Sequence, residues 1–319
     1  MDLIYTNAKR VDQGVLSTHE FDLSYGAEEN DFELILGANE ASLESGAFLY
    51  IEGTEYGGMV GGFGAVTNSE TITYRGRTWH GIMNSKVIQP DAGKSHLVVS
   101  GGDANEVLSF LIDRLGLSGL FVADSGLSGI SISSYQFHRY CKGYDGIRAM
   151  LAASGAKLKI AWRDRYVVLS AEPIADYTES PVDGDIATLT VERNDKKVNH
   201  LICLGKGDLA EREVIHLHAD QFGNISLNSY YSGLDEICEI YDNSSSEDLV
   251  NEGYAKILEL RNTDTAEIAI HQTEGLIYDI GDVVGATEYK SGIRVAGKVT
   301  QKIVKINNGV VSTEYKTGG

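Results

Sequence analysis

The N-terminal part of the chain has the pattern of β-strands separated by tight turns. Short apolar segments lie at 3–5, 21–25, 32–36 and 47–51, and the segment at 21–25 alternates apolar and polar residues. Such alternation is typical of a strand that packs one face on a core and exposes the other face to water. These segments therefore predict an all-β start to the chain.

A cluster of six glycines follows between residues 52 and 64, and β-forming residues continue at 65–67 and 71–74. A phosphate-binding loop would need a Gly-Lys-Ser/Thr ending and a helix directly after it. Neither is present in this segment, so the glycines predict a kinked hairpin that turns a sharply curved sheet.

The middle third of the chain changes to the period of α-helices. Asp103 and Glu106 have the spacing of a capping box, and Gly116 marks the end of that helix. Asp145 is predicted to cap a second helix, and a hairpin over 163–165 follows it. Helices followed by a hairpin predict a small α+β unit.

The segment from Glu274 to Gly318 is predicted to be an antiparallel meander that contains a β-bulge. Its apolar face changes phase near residue 301, and the members of that face are Ile293, Val295, Val299, Val304 and Ile306. One inserted residue causes such a change, because every later side chain moves to the other face. Asn308-Gly309 then predicts a type I′ hairpin turn.

Domain boundaries follow from these changes of pattern. The acidic, turn-prone segment 176–185 is predicted to be a linker. Within the last part, 220–261 is predicted to be an irregular and helical excursion, with a helix from Ser245 or Ser246 to about Leu260. The fold class is mainly β, α+β overall, and the predicted divisions are 1–95, 96–178 and 179–319.

Composition narrows the class of protein. The 319 residues are 42% hydrophobic and 23% charged, which is ordinary for a soluble globular protein with more than one domain. No apolar run approaches the roughly 20 residues of a membrane helix. The start at Met1-Asp2 has an acid where a signal peptide carries positive charge. We expect a soluble protein made in the cytosol, without a membrane-spanning segment.

The net charge and the cysteines argue against two classes of protein, those that wrap nucleic acid and those held together by disulfides or cysteine-bound zinc. The net charge of −19 argues against stable wrapping of nucleic acid, which relies on Lys and Arg to neutralise phosphates. Cys141, Cys203 and Cys238 are far apart and odd in number, so a disulfide framework or a cysteine-rich zinc site is not expected. We predict three buried thiols.

Three segments carry a family resemblance. They are the glycine-rich hairpin with 55–60 and 71–82, the helix and hairpin of 143–173, and the turn at 279–284. In this order they resemble the tail hub, or baseplate hub, proteins at the tip of tailed phages and related contractile injection particles. Together the three segments span nearly the whole chain.

The resemblance implies an architecture and a place in the virion. It implies a homotrimer in which two β-barrel-like tube domains of each subunit, 1–95 and 179–319, form a pseudo-hexameric ring. The small α+β domain at 96–178 would lie outside that ring. The subunit would cap the tail tube at the tail tip or baseplate, form part of the DNA channel and be assembled in the host cytoplasm.

The resemblance also implies partners and no enzymatic role. The partners would be the tail tube or distal tail protein, the tail spike or tip protein and the tape measure protein. DNA would pass through the lumen without specific binding, and we expect that lumen to be lined by Asp and Glu. The family has no catalytic residues or cofactors to carry over, and we expect no fused hydrolase after Gly319.

Two other functions stay open from the residues themselves. The acidic pairs Asp235/Glu236 and Glu247/Asp248 are candidates for the carboxylates of a cell-wall-active glycosidase, and a peptidase belongs to the same alternative class. A carbohydrate-binding adhesin is the third possibility, since the 17 tyrosines permit aromatic platforms.

Two histidines have the spacing of metal ligands. His216 and His218 are two residues apart on a predicted strand, so both rings point to the same side. Asp220 is the only third ligand that the local sequence offers. The favoured interpretation is a solvated strand face, so we predict no metal site.

A basic stripe in the terminal meander is the candidate interface. Lys290, Arg294, Lys298 and Lys302 are predicted to stand on its polar side, within a strongly acidic protein. We expect this stripe to contact an acidic surface of a neighbouring subunit or tail partner.

Overall fold

The computed structural model describes residues 1–179, 187–192, 196–221, 223–261, 265–272, 277–288 and 293–318. The chain forms two compact units: the large unit consists of Met1–Leu189 and Glu267–Gly319, and the small unit is Thr190–Ala266. This division differs from the three predicted domains, whose boundaries at 95 and 178 stay a prediction. Most of the described elements are strands, as the sequence predicts.

The elements follow in chain order. The N-terminal elements are β1 (Leu3–Thr6), β2 (Asp12–Leu16), β3 (His19–Gly26), β4 (Asp31–Gly37), β5 (Phe48–Tyr50), β6 (Gly57–Ala65), β7 (Thr71–Thr78) and α1 (Trp79–Asn84). The middle elements are β8 (Val87–Ile88), β9 (Val98–Ser100), α2 (Ala104–Arg114), β10 (Phe121–Ala123), β11 (Ser134–Gln136), β12 (Cys141–Lys142), α3 (Gly143–Ala153), β13 (Ala156–Arg163), β14 (Tyr166–Pro173) and β15 (Asp176–Tyr177).

The remaining elements belong to the small unit, to the end of the large unit, or to both. They are β16 (Ala187–Glu192), β17 (His200–Leu204), β18 (Val214–Ala219), β19 (Ile225–Ser226), β20 (Cys238–Asp242), α4 (Leu249–Arg261), β21 (Thr265–Gln272), β22 (Val283–Glu288), β23 (Ile293–Asn307) and β24 (Val310–Gly318). The predicted linker at 176–185 begins with strand β15, which pairs with β22. Residues 180–185 of that linker lie outside the described residues.

One sheet joins the two ends of the chain. Over the described residues it has thirteen strands in the order β16-β21-β24-β23-β3-β4-β7-β6-β5-β1-β2, and β22 pairs with β23 and β15. The first part of β23 pairs with β22, and its last part, from Gln301 to Asn307, pairs with β3. The two predicted β-rich ends are therefore not separate sheets. The hydrogen-bonded order of the described strands is an open path, and no closed barrel is found among them.

The N-terminal part of this sheet curls around its own core. Leu3 of β1 and Ile306 of β23 are both fully buried in one cluster, although five strands lie between β1 and β23 in the sheet. Glycines permit this close curvature. A Cβ on Gly58 would overlap the carbonyl oxygen of Arg77, and β6 carries a bulge where it pairs with β7. The predicted glycine-kinked hairpin is confirmed, since β6 and β7 are antiparallel neighbours and the element directly after the glycines is the strand β7.

The α+β part of the large unit has helices at the predicted places. The Asp103 and Glu106 capping box begins α2, and Gly116 follows its end with a φ of +67°. The predicted start of α3 at Asp145 is wrong, because the N-cap is Lys142. Strand β12 runs directly into this helix, so its last extended residue is the N-cap and Asp145 lies in the first turn, where its charge favours the helix dipole.

The small unit is a four-stranded sheet with one helix on it. The strand order is β19-β18-β17-β20, so the predicted excursion at 220–261 contains two strands of this sheet. Helix α4 begins at Leu249, after the predicted Ser245 or Ser246, and it packs Leu249, Gly253 and Ile257 against the sheet. The apolar face predicted for this helix is only partly buried. Its other members are about half exposed: Val250, Tyr254 and Leu258.

The three cysteines are free thiols in different environments. Cys203 is buried under α4, where a Cβ on Gly253 would lie 2.5 Å from its Sγ. Cys141 is half-buried and Cys238 is exposed, so the prediction of three buried thiols is wrong for Cys238. Cys238 begins β20, which is an edge strand among the described strands of its sheet.

The terminal meander has the predicted turn and bulge. Asn308 and Gly309 both have a positive φ, 48° and 85°, between the paired ends of β23 and β24. The register shifts between Val299 and Gln301, so Thr300 is the inserted residue. Before the bulge Val299 is buried, and after it Val304 and Ile306 are buried, as the phase change predicts.

Lys302 does not lie on the polar face of the meander. It is 1% exposed, because the phase that turns Val304 and Ile306 inward also turns Lys302 inward. The predicted position of Lys302 in an exposed stripe is therefore wrong. Its ammonium instead lies 5.6 to 6.0 Å from the centres of three tyrosine rings, those of Tyr25, Tyr56 and Tyr315.

Glu55 is the ionic partner that makes this burial possible. Lys302 Nζ lies 2.7 Å from Glu55 Oε1, and the Tyr25 hydroxyl donates to the same oxygen at 2.8 Å. The other carboxylate oxygen lies 3.6 Å from His80 Nε2. The His80 ring stacks on Tyr25 with 4.2 Å between ring centres. One carboxylate thus connects β23, β3 and α1.

Both members of the pair are charged in the folded protein. Burial opposes ionisation of Glu55, but the Lys302 ammonium and the His80 ring hold the pKa of Glu55 well below its usual range. Burial also opposes the charge of Lys302, but the Glu55 carboxylate raises the pKa of Lys302 above its usual value. Burial lowers the pKa of His80, so this ring is neutral near pH 7.

A glycine in the curved hairpin provides a test of the packing there. A Cβ in the variant Gly76→Ala would overlap the carbonyl oxygen of Met59 and lie 2.6 Å from Phe32 Cζ. Overpacking of this kind costs about 1–3 kcal/mol. Urea unfolding followed by tryptophan fluorescence measures the loss, because both tryptophans lie in the large unit.

The matched control is Gly62→Ala on the same hairpin, where an added Cβ meets no atom within 4 Å. We expect its unfolding free energy to stay within about 0.5 kcal/mol of wild type. Equal effects of the two substitutions would contradict close packing at Gly76.

Removal of the buried ammonium provides a second test. In Lys302→Met the carboxylate of Glu55 stays buried without its cation, and we expect a loss of about 3–5 kcal/mol of unfolding free energy. The double variant Lys302→Met/Glu55→Gln removes both charges and should recover most of that loss. The control Lys305→Met removes an exposed lysine 3.8 Å from Asp22, which contributes about 0–1 kcal/mol.

The same variant has an expected pH dependence. Glu55 has a lowered pKa in the wild type, so its stabilisation is present above the unfolded value of about 4.3 and is lost only as the pH falls through the folded value. In Lys302→Met, burial raises the folded pKa of Glu55, and the variant gains stability as the pH falls towards 4. The difference in unfolding free energy from wild type should therefore shrink between pH 7 and pH 4. A constant or growing difference would contradict the pairing.

Candidate functional site

The candidate assembly face is the outward side of the pair β22 and β23. Arg294 and Lys298 lie on this side, opposite Thr287 and Val283, whereas Val284 and Ala286 face the core. Arg294 is exposed and Lys298 is half-buried. Of the four predicted residues, the structure brings these two onto one strand face. Lys302 is buried, as described above, and Lys290 lies outside the described residues.

Neither cation of this face is paired within the part of the chain that the structure describes. Ion pairs of Lys305 with Asp22 and of Lys316 with Glu28 do occur on the same meander. Arg294 and Lys298 have no such partner among the described residues.

The turn that directly precedes β22 fixes this face to the α+β part of the large unit. The turn runs from Asp279 to Asp282, and a φ of +107° at Gly281 closes it. Asp282 is fully buried, and its two oxygens lie 2.8 and 2.9 Å from Lys157 Nζ of β13. Asp279 accepts hydrogen bonds from Lys157 and Lys159 at 2.8 to 3.0 Å. Two lysines of one strand thus bind two carboxylates of one turn.

The electrostatics of this turn favour a fixed arrangement. Asp282 also accepts the backbone N–H groups of Ala175 and Asp279, both at 2.9 Å. Burial opposes the charge of Lys157, but the hydrogen bonds to Asp282 and Asp279 raise the pKa of Lys157 above its ordinary value. The sequence signals the turn through Gly281-Asp282 but gives no sign of its lysine partners, which lie more than 100 residues earlier.

Two of the four candidate glycosidase carboxylates, Glu236 and Asp248, have hydrogen-bond partners in the structure. Glu236 Oε1 lies 2.7 Å from His200 Nδ1, and Asp235 ends a short 3-10 turn. Asp248 accepts a hydrogen bond from the backbone N–H of Asn251 at the start of α4.

The two predicted histidines lie beside a third that the sequence analysis missed. His200 of β17 is the direct cross-strand partner of His218 of β18, and its Nε2 lies 2.8 Å from His216 Nδ1. The signal that could have found His200 is the register of the β17–β18 hairpin. The sequence candidate Asp220 instead accepts two hydrogen bonds from Asn224, at 2.8 and 2.9 Å.

Neither tryptophan is available as an exposed sugar-binding platform. Trp79 and Trp162 are buried and stack on each other with 5.2 Å between ring centres. Among the described helices, none has the length and apolarity to cross a membrane.

Comparisons of sequence give no family for the chain. No protein-family model matches it, and no curated protein matches it. The known relatives of this chain are therefore found by structure.

Solved structures of tail proteins match over the full length. A 43 kDa tail protein of prophage MuSo2 from Shewanella oneidensis has a TM-score of 0.55 at 11% identity, and the match covers 100% of this chain and 98% of that one. A chain of the phage P2 baseplate in its activated conformation has a TM-score of 0.52 at 11% identity, with 100% and 99% covered.

A further match is the prophage tail protein gp18 of Listeria monocytogenes, with a TM-score of 0.51 at 13% identity and with 100% and 95% of the chains covered. At such low identity these matches show the fold alone. The chain has the fold of phage tail and baseplate proteins.

Proposed function

We propose that this protein is a structural subunit of a phage tail-tip or baseplate hub. The observation that carries the proposal is the full-length match to tail and baseplate proteins, which includes both compact units and not a single domain. The subunit caps the tail tube, contributes to the DNA channel and connects the tube to the tip or spike. It is a component of the virion, assembled in the host cytoplasm.

In this proposal the protein has no enzymatic activity of its own. Two of the four carboxylates that could suggest a glycosidase, Glu236 and Asp248, have partners in the fold, and the matched structures are described as tail and baseplate proteins. The partners are the tail tube or distal tail protein, the spike or tip protein and the tape measure protein. DNA passes through the lumen without specific binding, since an acidic lumen repels it.

The proposed assembly is a homotrimer with a pseudo-hexameric ring. Each subunit supplies two barrel-like, curved regions of its sheet, one around the core with Leu3 and Ile306 and one around the core with Val284 and Val299. Closed cyclic symmetry is the usual solution for such oligomers. The α+β part of the large unit lies outside the ring.

The assembly face is the proposed contact between neighbours. Arg294 and Lys298 lie on the same face of one strand, four residues apart, and the turn at Asp279–Asp282 fixes that strand in place. Because the chain has a net charge of −19, a second copy presents an acidic surface that is complementary to these cations.

The mass in solution tests the ring. We expect light scattering on the purified full chain to give about three times 34.6 kDa. The trimer should persist on dilution because ring interfaces are closed and cooperative. A stable monomer at all accessible concentrations would contradict the proposal.

Charge reversal tests the assembly face. The double variant Arg294→Glu/Lys298→Glu should weaken the trimer and do so most at low salt, because the contact is electrostatic. The control is Lys9→Glu/Lys94→Glu, which reverses two exposed lysines of the large unit and changes the net charge by the same amount. If both variants weaken the trimer equally, the effect comes from the change in net charge. This outcome would exclude the assembly face as a specific contact.

A further inference from the structure

Three histidines converge on one face of the sheet in the small unit. His200 of β17 is paired with His218 of β18, and His216 lies two residues before His218 on the same side. The opposite side of these strands carries Leu201 and Leu217, which pack under α4. The histidine face is therefore backed by a packed core, which holds the two strands in a fixed register.

The side chains already have nearly the separations of a coordination site. One nitrogen from each ring can be chosen so that all three lie within 4.8 Å of one another. Zinc binds imidazole nitrogen at about 2.0–2.1 Å in a tetrahedron, whose corners are then about 3.3 Å apart. The contact of 2.8 Å between His200 Nε2 and His216 Nδ1 would open by about 0.5 Å, and the longer separations would close by at most about 1.5 Å. Small side-chain rotations are enough for both changes.

Glu236 selects the nitrogen of His200 that would bind an ion. Its Oε1 lies 2.7 Å from His200 Nδ1, so Nδ1 carries the proton and donates to the carboxylate. The lone pair of His200 then lies on Nε2, which faces His216. A carboxylate that receives the second N–H of a metal-binding histidine is the common second-sphere arrangement of zinc sites.

Without an ion, this geometry is consistent with a hydrogen bond from His216 Nδ1–H to His200 Nε2. An ion bound at His216 Nδ1 would require the other neutral tautomer of this ring: the proton would leave Nδ1 for solvent, and solvent would supply one proton to Nε2, with no net release. His216 is exposed, so its Nε2–H can be hydrated when Nδ1 binds the ion. His200 and His218 are only 9% and 8% exposed, so their rings are held by the surrounding protein.

We propose that His200, His216 and His218 form a binding site for a divalent transition metal of the zinc type, with Glu236 as the residue that positions His200. Three neutral imidazoles suit Zn²⁺, Co²⁺ and Ni²⁺, whereas Ca²⁺ and Mg²⁺ require oxygen ligands. Three protein ligands leave a fourth position for a water molecule on the exposed side of His216. The ion connects β17 to β18, so its binding stabilises the small unit.

Within the described residues, no fourth side chain belongs to this cluster of possible ligands. Cys238 is the cross-strand partner of His200 on β20, but its Sγ is directed to the carbonyl oxygen of Glu239 at 3.8 Å. Ile202 lies opposite His216 and is apolar. The proposed set is therefore three histidines and one solvent molecule.

The test uses the full chain without a polyhistidine tag, after treatment with a chelator and its removal. Calorimetric titration with Zn²⁺ should give one ion per chain. Titration with Co²⁺ should give the strong visible absorption of a four- or five-coordinate ion, because the site is not octahedral. The transition of the small unit in thermal unfolding should move to higher temperature with Zn²⁺.

Three variants distinguish the proposed ligands from other histidines. His216→Ala should abolish one-to-one binding, and its far-UV circular dichroism should match wild type because the side chain is exposed. Glu236→Gln should weaken binding by about 10–100-fold without removing it. His138→Ala, at an exposed histidine of the large unit, should bind as wild type does.

Three results would overturn the proposal. They are the absence of one-to-one binding in the wild type, retention of that binding in His216→Ala, and a weak Co²⁺ spectrum typical of an octahedral ion. The wild-type titration and spectrum decide the question even if a variant fails to fold. The outcome is independent of the oligomer, so a failure here leaves the proposed hub function unaffected.

Discussion

A lysine in the interior of a β-sheet sets the main constraint on this fold. Burial of an unpaired ammonium costs several kcal/mol, so Lys302 can lie under the sheet only where Glu55 meets it at 2.7 Å. That contact requires the bulge at Thr300, because the bulge turns Lys302 inward. It also requires β23 to lie against β3, close to Tyr25. The position of one charge thus specifies the register of the strand that joins the two ends of the chain.

The cations of the terminal meander consequently have different roles that depend on the face they occupy. Lys302 is inside and specifies the packing, whereas Arg294 and Lys298 lie on the outward face without ionic partners among the described residues. The buried lysine of β13, Lys157, fixes the turn that leads into the same strands. A stiff support behind two cations that have no ionic partner in the described part of the chain favours a specific electrostatic contact, since the side chains then lose little entropy on binding.

Local features of this fold could be predicted from the sequence, and features that depend on distant residues could not. The capping box of α2, the turn at Asn308-Gly309 and the bulge near residue 301 each depend on a few neighbouring residues. The burial of Lys302 depends on Glu55, which is 247 residues away, so the residue type alone suggested exposure.

The candidate sites show the same limit. His216 and His218 have a visible spacing, but His200 joins them only through the register of a hairpin whose strands are separated by an irregular segment. The pairing of β23 with β3 likewise has no local signal, although both strands were predicted as strands. The family resemblance did not supply this pairing either, because it placed 1–95 and 179–319 in two separate domains.

The late position of β23 in the chain has a consequence during synthesis. The edge of β3 that pairs with β23 stays without its partner until a segment some 280 residues later has left the ribosome. The hydrogen bond from His19 to Asn308, for example, joins residues that are 289 positions apart. An open strand edge is a template for pairing with other chains. In a cell that makes many copies at once, the nascent chain therefore exposes a surface suited to a neighbouring copy before its own sheet is complete, and its yield depends on how quickly the final strands arrive.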